Sequence, residues 1–71
     1  MTEIPEFVKS KRKEVRLTQV ELARRSGVGL RFVRDLEQGR NRLRTDKVNQ
    51  VLALFGYELG PIPIRREDFG S

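Results

Sequence analysis

Apolar residues recur through the first 56 positions at helical rather than strand spacing, in four short runs separated by glycine or polar turns. Ile4, Phe7, Val8 and Val15 line one side of a segment from about residue 4 to 15, with Pro5 where a first-turn proline is tolerated. Arg16 and Leu17 lead into a turn. Thr18 and Glu21 then form a T-x-x-E capping box, in which the hydroxyl takes one orphan amide and the carboxylate another. Leu17 and Leu22 are spaced as a hydrophobic staple across it. This second helix turns Leu22 and Ala23 inward and ends at Gly27. A helix of about two turns is unstable alone and must pack at once on its neighbours.

Val28-Gly29 leaves room only for a tight turn before a third helix. Val28 and Val33 repeat the staple spacing, Leu36 continues the buried stripe, and Gly39 ends the run. A basic loop follows, Arg40-Asn41-Arg42-Leu43-Arg44. Thr45 is placed to cap a fourth helix, with Asp46 in its first turn, Val48, Val51, Leu52 and Phe55 on its apolar face and Gly56 at its end. Beyond Gly56 the period changes. Tyr57, Leu59, Ile62 and Ile64 are interrupted by Gly60-Pro61 and Pro63, which predicts an extended segment or one edge strand. A lone strand does not stand in water, so this segment either pairs with the same segment of a second copy or packs loosely on the helices. Residues 65–71 read as a frayed end, where Phe69, beside Glu67 and Asp68, is either a partner anchor or part of the fraying. The organisation expected is a helical domain over 1–56 and a dimerising or partner-contacting tail over 57–71.

Seventy-one residues supply one small core. The absence of cysteine and histidine removes disulfides, Cys/His zinc sites and nucleophile–histidine triads. The carboxylates are scattered singly, so neither an acid–base pair nor a metal box is expected. No run reaches the ~20 apolar residues of a membrane span, and no signal-peptide core precedes the first charges. The chain therefore reads as a small soluble protein without a cofactor or small-molecule substrate, and not as an enzyme.

Charge is unevenly placed. The net charge is +5, but residues 9–47 carry 13 basic and 5 acidic side chains, a local +8 between mildly acidic ends. A basic middle suits a polyanion, although a chain with 35% charged residues must also have a charged, solvated surface. Readers of single-stranded RNA interleave aromatic residues for stacking, and one Tyr and four Phe, most of them on buried stripes, fit that poorly. A purely protein-binding module would not need the basic middle.

Two short helices joined by a tight glycine turn are the ingredients of a helix-turn-helix, in which the first helix crosses the DNA backbone and the second enters the major groove. The stretch Leu17-Thr18-Gln19-Val20-Glu21-Leu22-Ala23, then Gly27-Val28, then Leu36-Glu37-Gln38-Gly39-Arg40, resembles the Cro/C1-type (Xre) helix-turn-helix family over roughly residues 5–57. Within that family, four helices followed by a Gly56-Tyr57-Glu58-Leu59 tail resemble HipB-like antitoxins, which repress their own operon and bind a HipA-like kinase toxin. The resemblance implies an all-α, four- or five-helix lambda-repressor-like domain with a short C-terminal extended segment. It also implies a cytoplasmic, nucleoid-associated bacterial homodimer on an inverted-repeat duplex, either as an antitoxin or as a stand-alone repressor. The small size, without an effector domain, fits input from another protein.

Carried over residue by residue, the resemblance puts Thr18 and Gln19 against phosphate oxygens at a helix N-terminus. It turns Leu30, Arg31, Arg34 and Asp35 toward base edges. Arginine can grip guanine O6 and N7, aspartate can accept from cytosine N4, and leucine can meet a thymine methyl. Arg40, Asn41, Arg42 and Arg44 clamp the backbone. Arg12 and Glu37 form a partly buried ion pair that holds the third helix, and Tyr57, Leu59, Ile62 and Ile64 join two copies. Arg34 and Asp35 could instead make surface ion pairs. Two departures stand out: Gly29 holds the cap position usually occupied by Ser or Thr, and Phe32 replaces a small polar residue and either packs beneath the helix or touches the sugar-phosphate wall.

Overall fold

At Thr18 the backbone is extended (φ −79°, ψ 167°), and its hydroxyl accepts a hydrogen bond from the Glu21 amide at 3.1 Å. The Glu21 carboxylate accepts one from the Thr18 amide at 2.8 Å. This reciprocal pair satisfies two donors that a helix start leaves open, and it opens α2, Gln19–Ser26. Before it runs α1, Glu3–Glu14; after it come α3, Leu30–Glu37, and α4, Thr45–Leu54. This is a computed structural model, and it describes residues 3–40 and 43–63. The all-α class is as expected, with four helices and no strand among the described residues.

Val8 of α1, Leu22 and Ala23 of α2, Val33 and Leu36 of α3, and Val48, Val51 and Leu52 of α4 make one core. Each helix is too short to persist alone; burying these stripes against one another supplies the stability. α3 packs on both α1 and α2, and α4 packs on α2. Phe32 lies half-buried against the core, so packing accounts for its bulk.

Two expectations are corrected. Val15 does not extend the buried stripe of α1 and is 52% exposed. The helix stops at Glu14, Arg16 turns left-handed (φ 61°), and the Leu17 amide bonds back to the Arg12 carbonyl at 3.0 Å, which swings Val15 outward. Thr45 does not cap α4. Arg44 holds that position without a side-chain cap bond, and its guanidinium spans to Asp46, with Nη2 to Oδ2 at 2.7 Å and Nε to Oδ1 at 3.1 Å. Thr45 is thereby the first helical residue, one place too far along to serve the opening amides. Residues 57–63, expected as an extended segment that either pairs with a second copy or packs on the helices, form no strand within this one chain. They fold back on their own helices: the Leu59 amide donates to Asn49 Oδ1 at 2.7 Å, and the Tyr57 ring meets Phe7 edge-on, centroids 4.8 Å apart. Ile64 and residues 65–71, Phe69 included, lie outside the described residues.

Candidate nucleic-acid interface

α3 buries Val33, Leu36 and Glu37 and leaves Arg31 and Arg34 exposed on the opposite side. Neither arginine has an ion-pair partner among the described residues. Leu30, at the start of the helix, is half-buried against the core, so only part of it is presented. Asp35 is half-exposed and lies 3.9 Å from Arg40 Nε.

Holding so short a helix at a fixed angle requires more than one apolar stripe. Glu37, only 6% exposed, supplies the rest. Its Oε2 accepts from Arg12 Nε at 2.7 Å, and its Oε1 accepts from Arg12 Nη2 at 3.0 Å and Gln19 Nε2 at 3.1 Å. Arg12 Nη1 also donates to the Leu17 carbonyl at 2.9 Å. One guanidinium thus ties α1, the turn before α2, and α3 together. Burial pushes the Glu37 carboxyl up, but hydrogen bonds from Arg12 and Gln19 and the charges of Arg12 and Lys9 outweigh it, and the net shift is downward. The hydrogen bond to Glu37 raises Arg12 against a smaller opposing effect of burial. Both groups stay ionised at neutral pH.

The expected phosphate contacts surround this helix. Thr18 is exposed at the α2 N-terminus, with its hydroxyl engaged by the Glu21 amide. Gln19 is half-buried, and its amide nitrogen is turned to Glu37. Arg40 is exposed and donates through Nε to Gln38 Oε1 at 3.2 Å; Arg44 is exposed and paired with Asp46. Asn41 and Arg42, between them, lie outside the described residues.

On another face, Ile4, Phe7, Leu52, Tyr57, Leu59 and Ile62 line a groove of about 320 Å³, with Tyr57 48% and Ile62 72% exposed. Among the described residues no group of acidic side chains could hold a metal, and no helix is long and apolar enough to cross a membrane.

Sequence reasoning missed the bonds from Gln19 to Glu37 and from Arg40 to Gln38. The first spans 18 positions and leaves no periodic trace. The second follows from a turn at Gly39 that pattern alone does not orient.

The helix-turn-helix family HTH_3 matches residues 8–62, which takes in α2, α3 and α4 and most of α1. Over 54 residues the chain is 48% identical to an uncharacterized HTH-type transcriptional regulator, y4mF, of Sinorhizobium fredii, a span covering 76% of this chain and 71% of that protein. With the matched span lying over the two-helix unit and its exposed arginines, the chain belongs to the Cro/C1-type helix-turn-helix family of DNA-binding transcriptional regulators.

Proposed function

We propose that this chain is a homodimeric repressor that reads an inverted-repeat operator, placing α3 of each copy in successive major grooves ~34 Å apart. The observation that carries this is the outer face of α3, where Arg31 and Arg34 stand exposed on a helix locked from behind by Arg12, Glu37 and Gln19. Guanidinium groups presented from a fixed helix suit guanine O6 and N7, and the open part of Leu30 suits a thymine methyl. Thr18 and Gln19 at the α2 N-terminus, with Arg40, Asn41, Arg42 and Arg44 after α3, are assigned to phosphates. The duplex is the gene's own upstream DNA.

Two copies are assigned to meet through Tyr57, Leu59, Ile62 and Ile64. The apolar groove beside Tyr57 and Ile62 supports this, because exposed apolar surface of that kind gains by being covered. The Gly56-Tyr57-Glu58-Leu59 tail supports a finer reading, in which the repressor is the antitoxin of a HipBA-like operon and binds a HipA-like kinase toxin.

An anisotropy titration against the upstream duplex and a scrambled one, at two salt concentrations, tests the repressor reading. Preference for the upstream duplex by ~10³-fold or more, falling steeply with salt, is expected. Equal, weak binding to both would overturn it. For the finer reading, a neighbouring reading frame with kinase signatures should yield a stoichiometric complex on co-expression, and a stand-alone repressor would yield none.

A further inference from the structure

α2 and α3 end by the same device. After Gly27 (φ 81°) the Val28 amide bonds back to the Ala23 carbonyl at 3.1 Å; after Gly39 (φ 75°) the Arg40 amide bonds back to the Asp35 carbonyl at 3.0 Å. In the second case the Gly39 amide also reaches the Leu36 carbonyl at 3.2 Å, completing a Schellman turn. Such a turn lays the residue directly after the glycine over the one five positions earlier, a pair that is commonly apolar. At α2 the pair is Ala23 and Val28. At α3 it is Asp35 and Arg40, of opposite charge.

The geometry of that second pair is one-sided. Asp35 Oδ1 lies 3.9 Å from Arg40 Nε, and Gln38 Oε1 accepts from the same nitrogen at 3.2 Å. Gln38 takes the Nε hydrogen and the Asp35 carboxylate flanks the same edge at ion-pair distance, while Nη1 and Nη2 have no partner among the described residues and the side chain is 66% exposed. A guanidinium held along one edge offers its remaining nitrogens as a fork, which matches two phosphate oxygens. Arg31, four residues before Asp35 on α3, is spaced for an ion pair with it. Asp35 is turned to Arg40 instead, which leaves Arg31 open.

We propose that Asp35 is a positioning residue: with Gln38 it orients Arg40 so that the Nη pair meets a DNA phosphate at the C-terminal end of α3, and it does not itself accept from a base. This rests on the reading of α3 as the groove-entering helix. The Asp35 carboxylate is directed past the C-terminal end of α3, toward Arg40. Pairing with Arg40 also offsets the repulsion an isolated carboxylate would feel beside phosphate.

The test uses the intact chain, a duplex that it selects from a randomised library, and a random-sequence duplex. Asp35→Asn, Arg40→Ala, Arg40→Lys and the double variant Asp35→Asn/Arg40→Ala are titrated across a salt series. All these side chains are solvent-accessible, and circular dichroism confirms that each variant is folded. Arg40→Ala should weaken binding to both duplexes alike and lower the salt slope by about one. Arg40→Lys, which keeps the charge and loses the fork, should recover only part of the affinity. Asp35→Asn should weaken both duplexes about threefold, the scale of an exposed coupled pair. In the Arg40→Ala background the same change should strengthen binding, because there it only removes a negative charge. The base-by-base preference on the selected duplex should be the same for the wild type and the Asp35→Asn variant. Loss of preference at a single base pair in Asp35→Asn would overturn the assignment, as would strengthened binding of equal size in both backgrounds. A selection that enriches no sequence would sink the wider reading of α3, while the cycle on random DNA would still report on Arg40.

Discussion

Arg12 and Glu37 stand 25 positions apart in the chain and share two hydrogen bonds, Nε to Oε2 at 2.7 Å and Nη2 to Oε1 at 3.0 Å. The Glu37 side chain is 1% exposed and that of Arg12 12%, so the pair is sheltered from the solvent that weakens surface ion pairs. It fixes the angle at which α3 leaves α1, and with it the direction of Arg31 and Arg34.

Removing one partner leaves the other buried and uncompensated. Arg12→Ala should cost about 3 kcal/mol in urea unfolding, a large part of the stability of so small a domain. The double change Arg12→Met/Glu37→Leu should recover most of that loss, because apolar replacement of a buried pair is often near neutral. A loss for Arg12→Ala well under ~1 kcal/mol would mean the pair behaves as a surface one.

Acid should unfold the protein through the same group. The folded Glu37 carboxyl lies below its usual 4.5, so its contribution is fully present above that value and is lost as pH falls through the depressed one. Glu21, held down by hydrogen bonds from Thr18, and Asp46, held down by Arg44, shift in the same direction. Tm measured from pH 7 to pH 3 should be flat at first and then fall below about 4.5. Glu37→Gln should start lower and show a shallower fall; an unchanged acid slope would remove Glu37 as its source.

Arg31→Ala should cost ~1–3 kcal/mol on the selected duplex and relax the requirement at one base position. Affinity for random DNA should change far less. Equal losses on both duplexes would take Arg31 out of the base-reading set.

Gly29 caps α3 in an extended conformation (φ −76°, ψ 156°) with no side-chain bond, and a Cβ there would meet nothing within 4 Å. Gly29→Ser should add a hydroxyl acceptor for the first turn and restrict the unfolded chain, raising stability by about 0.5–1 kcal/mol. Thermal melts would show this directly, and an unchanged Tm would mean that water already serves those amides equally well.

Ile62 is 72% exposed at the edge of the apolar groove. Ile62→Asp should leave the monomer's fold intact but abolish dimers in sedimentation equilibrium, and should reduce operator affinity with them. Dimers of undiminished strength would place the contact between copies elsewhere.

The start of α2 was legible because everything that makes it lies within a few residues: Thr18 and Glu21 meet across three positions, and Gly27 ends the helix by its own backbone freedom. The apolar stripes of Val33, Leu36, Val48 and Val51 were legible for the same reason, since helical periodicity encodes a face without saying what covers it. Val15 and Thr45 failed at element ends, where one residue's difference in a turn reverses which way a side chain points. The pairing of Arg12 with Glu37 came from family resemblance and not from spacing.

By itself, then, the sequence determined four short amphipathic helices, the capping box of α2, a basic middle and the helix-turn-helix pattern, all written in contacts or periods of a few residues. Only the tertiary structure decided that Gln19 joins Arg12 on Glu37, that Asp35 is turned to Arg40 and not to Arg31, and that Tyr57 lies against Phe7. Those choices depend on which side chains packing brings within about 3–4 Å, where hydrogen bonds and ion pairs act, and no local pattern in the chain records that distance.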